Sequence, residues 1–576
     1  MTLHIVRREV AGGELAGFSE LHPVLARAYA ARGLRQPADL SLTLDRLLPV
    51  GSLGGIDAAV DLLLAHRESP RKLLIIGDFD ADGATSTALL LRGLRACGFG
   101  NVDFLVPNRF EFGYGLTPEI VAVAAGRKPS LLVTVDNGIS SLAGVAVAQA
   151  AGMQVLVTDH HLPGRDLPAA DAILNPNVPG NSFGSRYLAG VGVAFYLLAA
   201  VARRLAVPAA RVTQFLDLVA LGTVADLVPL DRNNRILVAQ GLARIRAGAC
   251  VPGIRALLQV AKRQPASVLA SDLGFAVAPR LNAAGRIDDM SIGIRCMLAD
   301  NADEAAQLAG QLDNLNRERR EIEADMQRQA LAAVKVLDDP QALAAQRAGV
   351  VLYDAAWHQG VVGLVASRVK DRIRRPVVAF ANATGDELRG SARSVPGVHI
   401  RDVLEAMATA EPQLIERFGG HAMAAGLTLR PANLDRFARA FDAEVMRWLG
   451  PGKTYDTIET DGGLAIDEIA LPTAEALRAG GPWGQAFAEP SFDGEFAVHQ
   501  SRVVGERHLK LWVEPMGSGR RFDAIAFNHL DPGARPQLEG STVRLVYRLD
   551  INAYRGERRL QLLIDHLLPC LLESAP

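Results

Sequence analysis

Residues 72–87 read KLLIIGDFDADGATST. An apolar run, Leu73 to Ile76, leads into Asp78, Asp80 and Asp82 at alternate positions and then into Gly83. The pattern D-x-D-x-D-G also opens an EF-hand calcium loop, but that loop takes a bidentate Glu at its twelfth position, and counted from Asp78 that position is Leu89. The calcium reading loses its main ligand. The short Ile-rich run bounded by charge reads as a buried strand rather than an entering helix. Ala84 to Gly98 has helical composition with a glycine stop. The unit is therefore strand, acidic loop, helix, and its carboxylates stand at the C-terminal end of the strand.

Apolar runs of the same kind recur at Val102–Val106, Leu131–Val135, Val155–Val157 and Ala172–Leu174, with helical stretches between them. This rhythm predicts a parallel sheet with crossover helices. Two of these runs end, like the first, in polar clusters: TVDNGIS with Asp136, and TDHH with Asp159, His160 and His161. A fourth cluster, in LVALGTVADLVPL, sets Asp226 behind another apolar stretch and is read as one more strand end. In open α/β sheets ligands bind beyond the C-terminal strand ends, so these clusters are expected to converge there. A helix N-cap accounts for any one of these carboxylates alone; four clusters at corresponding strand ends call for a ligand.

With 576 residues the chain is long enough for three or four domains. Glu304 to Leu337 reads as one long helix, with Leu308, Leu312, Leu315, Ile322, Met326, Ala330 and Val334 in a helical stripe. Arg317, Arg319 and Arg320 fall on its polar side, as a solvated face or along a nucleic-acid path. Pro340 ends it, and strand-like runs at Val350–Tyr353 and Pro376–Phe380 begin a second α/β domain. Its most distinctive stretch is FGGHAMAAG, Phe418 to Gly426, where paired glycines permit close backbone approach beside His421. The last segment alternates short strands with Gly-rich turns, which predicts a small β-barrel with the OB-fold as the candidate.

Lys plus Arg (61) balance Asp plus Glu (63), so any nucleic-acid surface must be local. Cys97, Cys250, Cys296 and Cys570 are far apart and form no C-x-x-C, which argues against a zinc ribbon or disulfide framework and fits a reducing cytoplasm. MTLHIVRREV lacks the apolar core of a signal peptide, and the longest near-apolar run, Leu188 to Ala202, is short of a membrane span. These features predict a soluble cytoplasmic protein.

Asp80, Asp82, Asp136, His160 and Asp226 make an oxygen-rich donor set with one imidazole, which suits Mn²⁺ or Mg²⁺ better than zinc. So many carboxylates point to two ions, and a pair roughly 3.5–4 Å apart activates water and stabilises the leaving oxygen of a phosphoryl ester. Phosphodiester hydrolysis is the expected reaction. His161 has three readings at this stage: an orienting residue behind the ligands, a phosphate contact, or a loop histidine.

GDFDADG, VDNGIS, TDHH and TVAD together resemble the four metal motifs of the DHH phosphoesterase superfamily, and LAGVGVAF, PRLNAAGR, GSARS and GGHAMAAG narrow the likeness to its RecJ family of bacterial single-stranded-DNA exonucleases. The resemblance covers essentially the whole chain. It implies a two-domain α/β protein, with a parallel-sheet DHH domain and a smaller DHHA1 domain joined by a long helix, followed by a C-terminal OB-fold β-barrel. The corresponding boundaries are an N-terminal extension at 1–50, the DHH domain at 51–303, the connecting helix at 304–340, the DHHA1 domain at 341–454 and the barrel at 455–576. The implied activity is 5′-to-3′ hydrolysis of single-stranded DNA to 5′-mononucleotides with two Mn²⁺ or Mg²⁺ ions, in recombination and repair. The implied partners are single-stranded DNA, a single-stranded-DNA-binding protein and a RecQ-type helicase, for a monomer that does not engage membranes.

Carried over motif by motif, the resemblance makes Asp80, Asp82, Asp136, His160 and Asp226 metal ligands, with Asp78 and Asp159 supporting the site and His161 beside the scissile phosphate. Arg109, Arg280, Asn282, Arg286, Ser391, Arg393 and His421 resemble substrate-phosphate contacts, a chemistry that the planar donor fork of arginine and the serine hydroxyl both fit. Arg393, with Ser391 and Arg280, is expected to grip a terminal 5′-phosphate. In the last domain Arg507, Lys510, Tyr554 and Arg555 offer basic groups around an aromatic ring, as single-strand binding requires.

Two other readings compete. A DHH phosphodiesterase for short oligoribonucleotides or cyclic dinucleotides needs the same metals but no extra barrel, and pyrophosphatase-like relatives carry a His where this chain has Ile76. A non-catalytic single-strand-binding scaffold is expected to have lost ligands, and here all five are present. One departure stands out: in PWGQAFAEP, Pro482 to Pro490, many relatives have a Gly and an Asn-Pro where this chain has Ala486, Phe487 and Ala488, which puts that loop's contacts in doubt.

Overall fold

The computed structural model describes the chain apart from residues 1–3, 11–17, 109–111, 113, 114, 337–347, 384, 450–456, 506, 531, 532, 555, 556 and 570–576. Contacts divide the chain into two units, one made of residues 3–282, 289–310 and 458–576, the other of 283–288 and 311–457.

In the larger unit the chain starts with β1 (His4–Arg7) and then builds a five-stranded sheet from β2 (Leu73–Ile76), β3 (Val102–Leu105), β4 (Leu131–Val135), β5 (Gln154–Thr158) and β6 (Ala172–Leu174), in the order β3-β2-β4-β5-β6. Every pairing is parallel, with Leu73 opposite both Val102 and Leu131. Such a sheet is covered on both faces, which is why β2 and β4 are continuous apolar runs with every residue buried. Because β3 lies on one side of β2 and β4 on the other, the winding direction reverses at β2. The crevice beyond the C-terminal ends of β2 and β4 is where a ligand belongs in this topology.

Two expectations need correcting here. Asp226 does not follow a strand: LDLVALGTVA forms a helix, Leu216–Ala225, and Asp226 is its C-cap. Eight of those ten residues are buried, and a run that is apolar on every side has no period by which a buried helix could be told from a buried strand. The acidic stretch is also not wholly a loop. The helix begins at Ala81, with Asp80 as N-cap accepting the Gly83 N–H at 3.0 Å, so Asp82 sits in the first helical turn. The near-apolar run at Leu188 becomes the helix Gly190–Arg204, and among the described residues no single helix is long and apolar enough to cross a membrane.

The smaller unit carries β7 (Val350–Tyr353), β8 (Val377–Asn382), β9 (Leu388–Arg393), β10 (Arg417–Gly420) and β11 (Ala424–Leu429), ordered β10-β11-β9-β8-β7, with only β7 and β8 parallel. One face packs on Phe437, Phe441 and Leu404, the other on Val365, Val369 and Met326. β9 alternates, burying Leu388, Gly390 and Ala392 and turning Arg389, Ser391 and Arg393 the other way. The long helix runs from Ala302 to Val336. Arg319 is not on a solvated face of it: the residue is buried, and its guanidinium meets Glu323 at 2.5 Å and Asn316 at 2.7 Å.

The chain then returns to the larger unit through β12 (Thr457–Thr460), which pairs with β1. A closed barrel follows, made of β13 (Phe492–Val504), β14 (His508–Pro515), β15 (Phe522–Ala526), β16 (Thr542–Tyr554) and β17 (Glu557–Pro569) in the order β13-β14-β15-β17-β16. β13 also pairs with β16, and β15 pairs with β17 in parallel. Described residues near the N-terminus are clamped to this region. Arg7 forms a two-pronged contact with Asp493 (3.0 and 2.9 Å), Arg32 reaches Asp461 (2.7 and 3.0 Å), and Arg27 reaches Glu468 (2.8 and 2.9 Å).

Candidate metal centre

The sheet places its acidic residues at the switch point. Asp78 and Asp80 follow β2, Asp136 follows β4, and Asp159, His160 and His161 follow β5. Helices supply the rest, Asp82 from a first turn and Asp226 from a last one. Donor atoms come within 4.8 Å of one another in three overlapping groups: Asp78, Asp80 and Asp136; Asp82, His160 and Asp226; and Asp136, His160 and His161. His160 Nε2 lies 3.0 Å from Asp136 Oδ1 and 3.4 Å from Asp226 Oδ2. The residues expected as ligands from four separate motifs are thus brought together.

Backbone donors fix the carboxylates. Asp82 accepts the N–H groups of Gly190 (2.6 Å) and Val191 (2.9 Å), at the N-terminus of the helix Gly190–Arg204. The approach requires glycine: a Cβ on Gly190 would lie 2.6 Å from the Cβ of Asp136. Asp136 itself has φ +61°, a left-handed conformation that costs a non-glycine residue about 1–3 kcal/mol and clusters at functional sites. Ala81 N–H donates to Asn282 Oδ1 at 2.8 Å, so Asn282 holds the acidic turn from the side. Asp159 accepts from Ile139 N–H (2.9 Å), His160 N–H (2.7 Å) and His161 Nδ1 (2.7 Å), and Asn175 and Asn177 donate to the carbonyls of His161 and His160.

These carboxylates are crowded out of water. Burial and the neighbouring Asp80 push Asp82 up to about 7. Burial and the repulsion of Asp82 and Asp80 hold Asp136 and Asp226 well above the carboxylate range. A site that disfavours its own charges in this way is completed by a cation, since divalent positive charge converts mutual repulsion into ligation. The donor set fits Mn²⁺ or Mg²⁺, being carboxylate oxygen with a single imidazole and no thiolate. Asp159 behaves oppositely: although burial opposes its charge, His161 draws it down to about 2, and in return, against burial, Asp159 raises His161 to about 9. The Asp159 carboxylate thus favours the protonated form of His161.

A second constellation lies in the smaller unit. Arg393 and Ser391 face the first turn of the helix Val362–Ile373, where a Cβ on Gly363 would lie 2.8 Å from Arg393 Nη2 and 3.3 Å from Ser391 Oγ. Burial and then the nearby Arg286 lower Arg393 to about 10. Arg286 donates to Gly360 O at 3.3 Å. Two guanidinium groups, a hydroxyl and a helix N-terminus in one place have the chemistry that suits an anion.

The DHH family N-terminal domain matches residues 72–223, the DHHA1 domain matches residues 346–447 and the RecJ OB domain matches residues 460–566. The single-stranded-DNA-specific exonuclease RecJ of Dickeya dadantii is 52% identical over 574 residues, which cover 98% of both chains. The chain belongs to the RecJ family. Two solved RecJ structures from Thermus thermophilus are similar across 98% of this chain. The one in complex with Mn²⁺ has TM-score 0.80 and 31% identity over 79% of that chain; the one in complex with Mg²⁺ has TM-score 0.76 and 28% identity over 78%. The expected fold, two α/β domains and an OB barrel, is the fold of this RecJ-family chain.

The remaining candidates are dispersed. Arg280 folds back on its own helix, donating to Ala276 O at 2.6 Å. His421 is exposed between β10 and β11, its N–H donating to Ala424 O. On the barrel, Lys510 is paired with Asp523 at 3.0 Å, and Arg507 is exposed. Arg109 and Arg555 lie outside the described residues, as does the side chain of Tyr554. Sequence reasoning passed over the backbone of Gly190 and Val191 and the side chains of Asn175 and Asn177; the paired glycines of LAGVGVAF were the one signal. It also passed over Phe275, 75% exposed on a π-helical turn, Leu273–Val277, ahead of Arg280.

Proposed function

We propose that this chain is a single-stranded-DNA-specific exonuclease that cleaves phosphodiester bonds from the 5′ end and releases 5′-mononucleotides, in DNA recombination and repair. The observation that carries the reading is the convergence of Asp78, Asp80, Asp82, Asp136, His160 and Asp226 at one switch point, in a chain that matches exonucleases of this specificity from end to end. Asp80, Asp82, Asp136, His160 and Asp226 would hold two Mn²⁺ or Mg²⁺ ions, with Asp78 beside them. Bound there, the ions supply Lewis-acid stabilisation of phosphoryl oxygens and activation of the attacking water.

The chain's own residues do the rest. Gly190, Val191 and Asn282 keep the acidic turn rigid, so the donor set is organised before substrate arrives. His161, protonated and oriented by Asp159, donates a hydrogen bond to a phosphoryl oxygen that gains charge in the transition state. Arg393, Ser391 and Arg286 take a terminal 5′-phosphate, and that contact selects an end over an internal position. Arg109, Arg280 and His421 contact the backbone, Phe275 offers a ring on which a base stacks, and Arg507, Lys510, Tyr554 and Arg555 extend the path over the barrel.

We place the DHH part at 51–303, the connecting helix at 304–340, the DHHA1 part at 341–454 and the barrel at 455–576. The enzyme works as a cytoplasmic monomer with its thiols reduced, and a single-stranded-DNA-binding protein and a RecQ-type helicase supply single strands with accessible ends. End-labelled single-stranded DNA, duplex DNA and RNA incubated with the protein and Mn²⁺ test the reading. Mononucleotide release from single-stranded DNA alone, abolished by chelator and by Asp82→Ala, is expected; release that survives chelation refutes it.

A further inference from the structure

The loop Pro482–Pro490 departs from the family pattern, and in the larger unit it lies against the segment that follows Asp226. That segment, Leu227–Asp231, joins the helix Leu216–Ala225 to the helix Arg232–Arg246. It is tightly determined. Leu227 has φ +58°, Asn234 Nδ2 donates to Pro229 O at 2.9 Å, and Asp231 caps the second helix by accepting the Asn234 N–H at 2.9 Å. Leu230 N–H reaches across the sequence to Gln485 O at 2.7 Å. Leu230 is buried against the same loop, close enough that a Cβ on Gly484 would lie 2.7 Å from its Cδ1.

Further contacts hold the loop. Phe487 stacks on Trp483 with centroids 5.1 Å apart and planes 11° off parallel. The buried Arg235 guanidinium, from the second helix of the hairpin, sits 3.9 Å over the Phe487 ring. Arg32 lies 5.3 Å over Trp483 and donates to Ala488 O at 2.7 Å. Glu489 is bound by Arg548 of the barrel at 2.5 Å. Ala486 is held at φ +58°, where a residue with a Cβ pays for its conformation. A multiply anchored loop that holds the connector at Leu230, and the following helix at Arg235, fixes the path of the chain leading away from Asp226.

We propose that Phe487 and the loop Pro482–Pro490 are positioning elements for Asp226, so that the base of the C-terminal barrel sets the affinity of the catalytic centre for its divalent cation. Phe487 holds Arg235, Gln485 holds Leu230, and Asp226 is four residues from Leu230 and opposite His160 at 3.4 Å. Residues that orient a metal ligand from behind typically govern metal affinity by about tenfold to a hundredfold. This inference rests on the reading of Asp226 as a ligand.

Mn²⁺ binding to the full chain without DNA, followed by the electron paramagnetic resonance of free Mn²⁺, tests it together with cleavage of single-stranded DNA across a Mn²⁺ series. Phe487→Ala should weaken Mn²⁺ binding about tenfold, with cleavage returning to near the wild-type rate at saturating Mn²⁺, whereas Phe487→Tyr, which keeps the ring under Arg235, should bind as wild type. Folded Phe487→Ala protein that binds Mn²⁺ as tightly as wild type, while Asp226→Ala loses binding, overturns the proposal and leaves the metal centre intact. If Asp226→Ala also binds like wild type, the assignment of Asp226 fails instead. Should Phe487→Ala not fold, Gly484→Ala is read in its place, since its Cβ pushes on Leu230 directly; unchanged Mn²⁺ binding there overturns the proposal equally.

Discussion

Arg393→Ala is the sharpest test of how an end is told from an internal phosphate. Arg393, Ser391 and the N-terminal turn of the helix Val362–Ile373 converge around Gly363, with Arg286 near enough to depress Arg393. At about 10, Arg393 stays charged at working pH. A charge-assisted hydrogen bond from such a group contributes roughly 1.5–3 kcal/mol, which is about tenfold to a hundredfold in kcat/KM. Removing Arg393 also relieves the repulsion on Arg286, which then carries part of the load, so the lower half of that range is expected on 5′-phosphorylated strands. On strands ending in 5′-hydroxyl the loss should be at most about threefold. The assay is kcat/KM for matched oligonucleotides differing only in the terminal phosphate. Equal losses on both refute the reasoning, because they show that Arg393 binds internal backbone or supports β9 and does not recognise the end.

Two further outcomes are expected. Gly190→Ala drives a Cβ to within 2.6 Å of the Asp136 Cβ, so cleavage should fall at least about a hundredfold, with a loss of stability of about 1–3 kcal/mol from overpacking; near-wild-type activity would show that Asp136 has room to move. Asp493, although burial opposes its charge, is drawn down to about 2 by Arg7, Arg544 and Thr460. The stability it contributes is therefore present above its unfolded value of about 3.9 and is lost as pH falls from there through about 2. Because Arg7 is half exposed, that contribution is discounted to about 1–2 kcal/mol. Asp493→Asn should cost this much in urea unfolding at pH 7, with the difference from wild type vanishing near pH 2, and a pH-independent difference would contradict it.

Much of the centre was legible because its residues sit at the ends of short strands with strong apolar signals, and β2, β4 and β5 announce themselves as LLII, LLVTV and VLV. What was not legible has four physical causes. The stretch before Asp226 is apolar on all sides, so nothing in it separates helix from strand. The grip on Asp82 comes from backbone N–H groups, which leave no trace in residue type beyond the glycines that allow the approach. The joining of the N-terminal segment to the barrel and the stretch before it is made by pairs such as Arg7 with Asp493 and Arg32 with Asp461, distant in sequence and ordinary in composition. Arg319 was misread for a different reason: its partner Glu323 is only four residues on, but an arginine on a helix reads as solvated until the burial of the pair is seen.

The helices around the centre explain how it tolerates so much negative charge, and where it does not. Asp80 and Asp82 stand at the N-terminus of Ala81–Ala96, and Asp82 also faces the N-terminus of Gly190–Arg204, two partial positive charges that favour carboxylates. Asp226 caps the C-terminal end of Leu216–Ala225, the end that disfavours an anion and favours a cation. N-capping and metal binding are therefore not rival accounts of these residues, since the caps lower the cost of gathering the acids and leave Asp226 as the group most in need of a positive ion. Asp226→Asn should then stabilise the chelator-treated protein by about 0.5–1 kcal/mol, through relief of repulsion among buried carboxylates. It should also abolish much of the rise in melting temperature that saturating Mn²⁺ gives the wild type, because ligand binding to the folded state stabilises it by mass action. Thermal unfolding of both proteins with chelator and with Mn²⁺ measures the two effects separately. A variant less stable than wild type in chelator would mean that the carboxylate is held by hydrogen bonds worth more than the repulsion, and the electrostatic account of this centre would have to be given up.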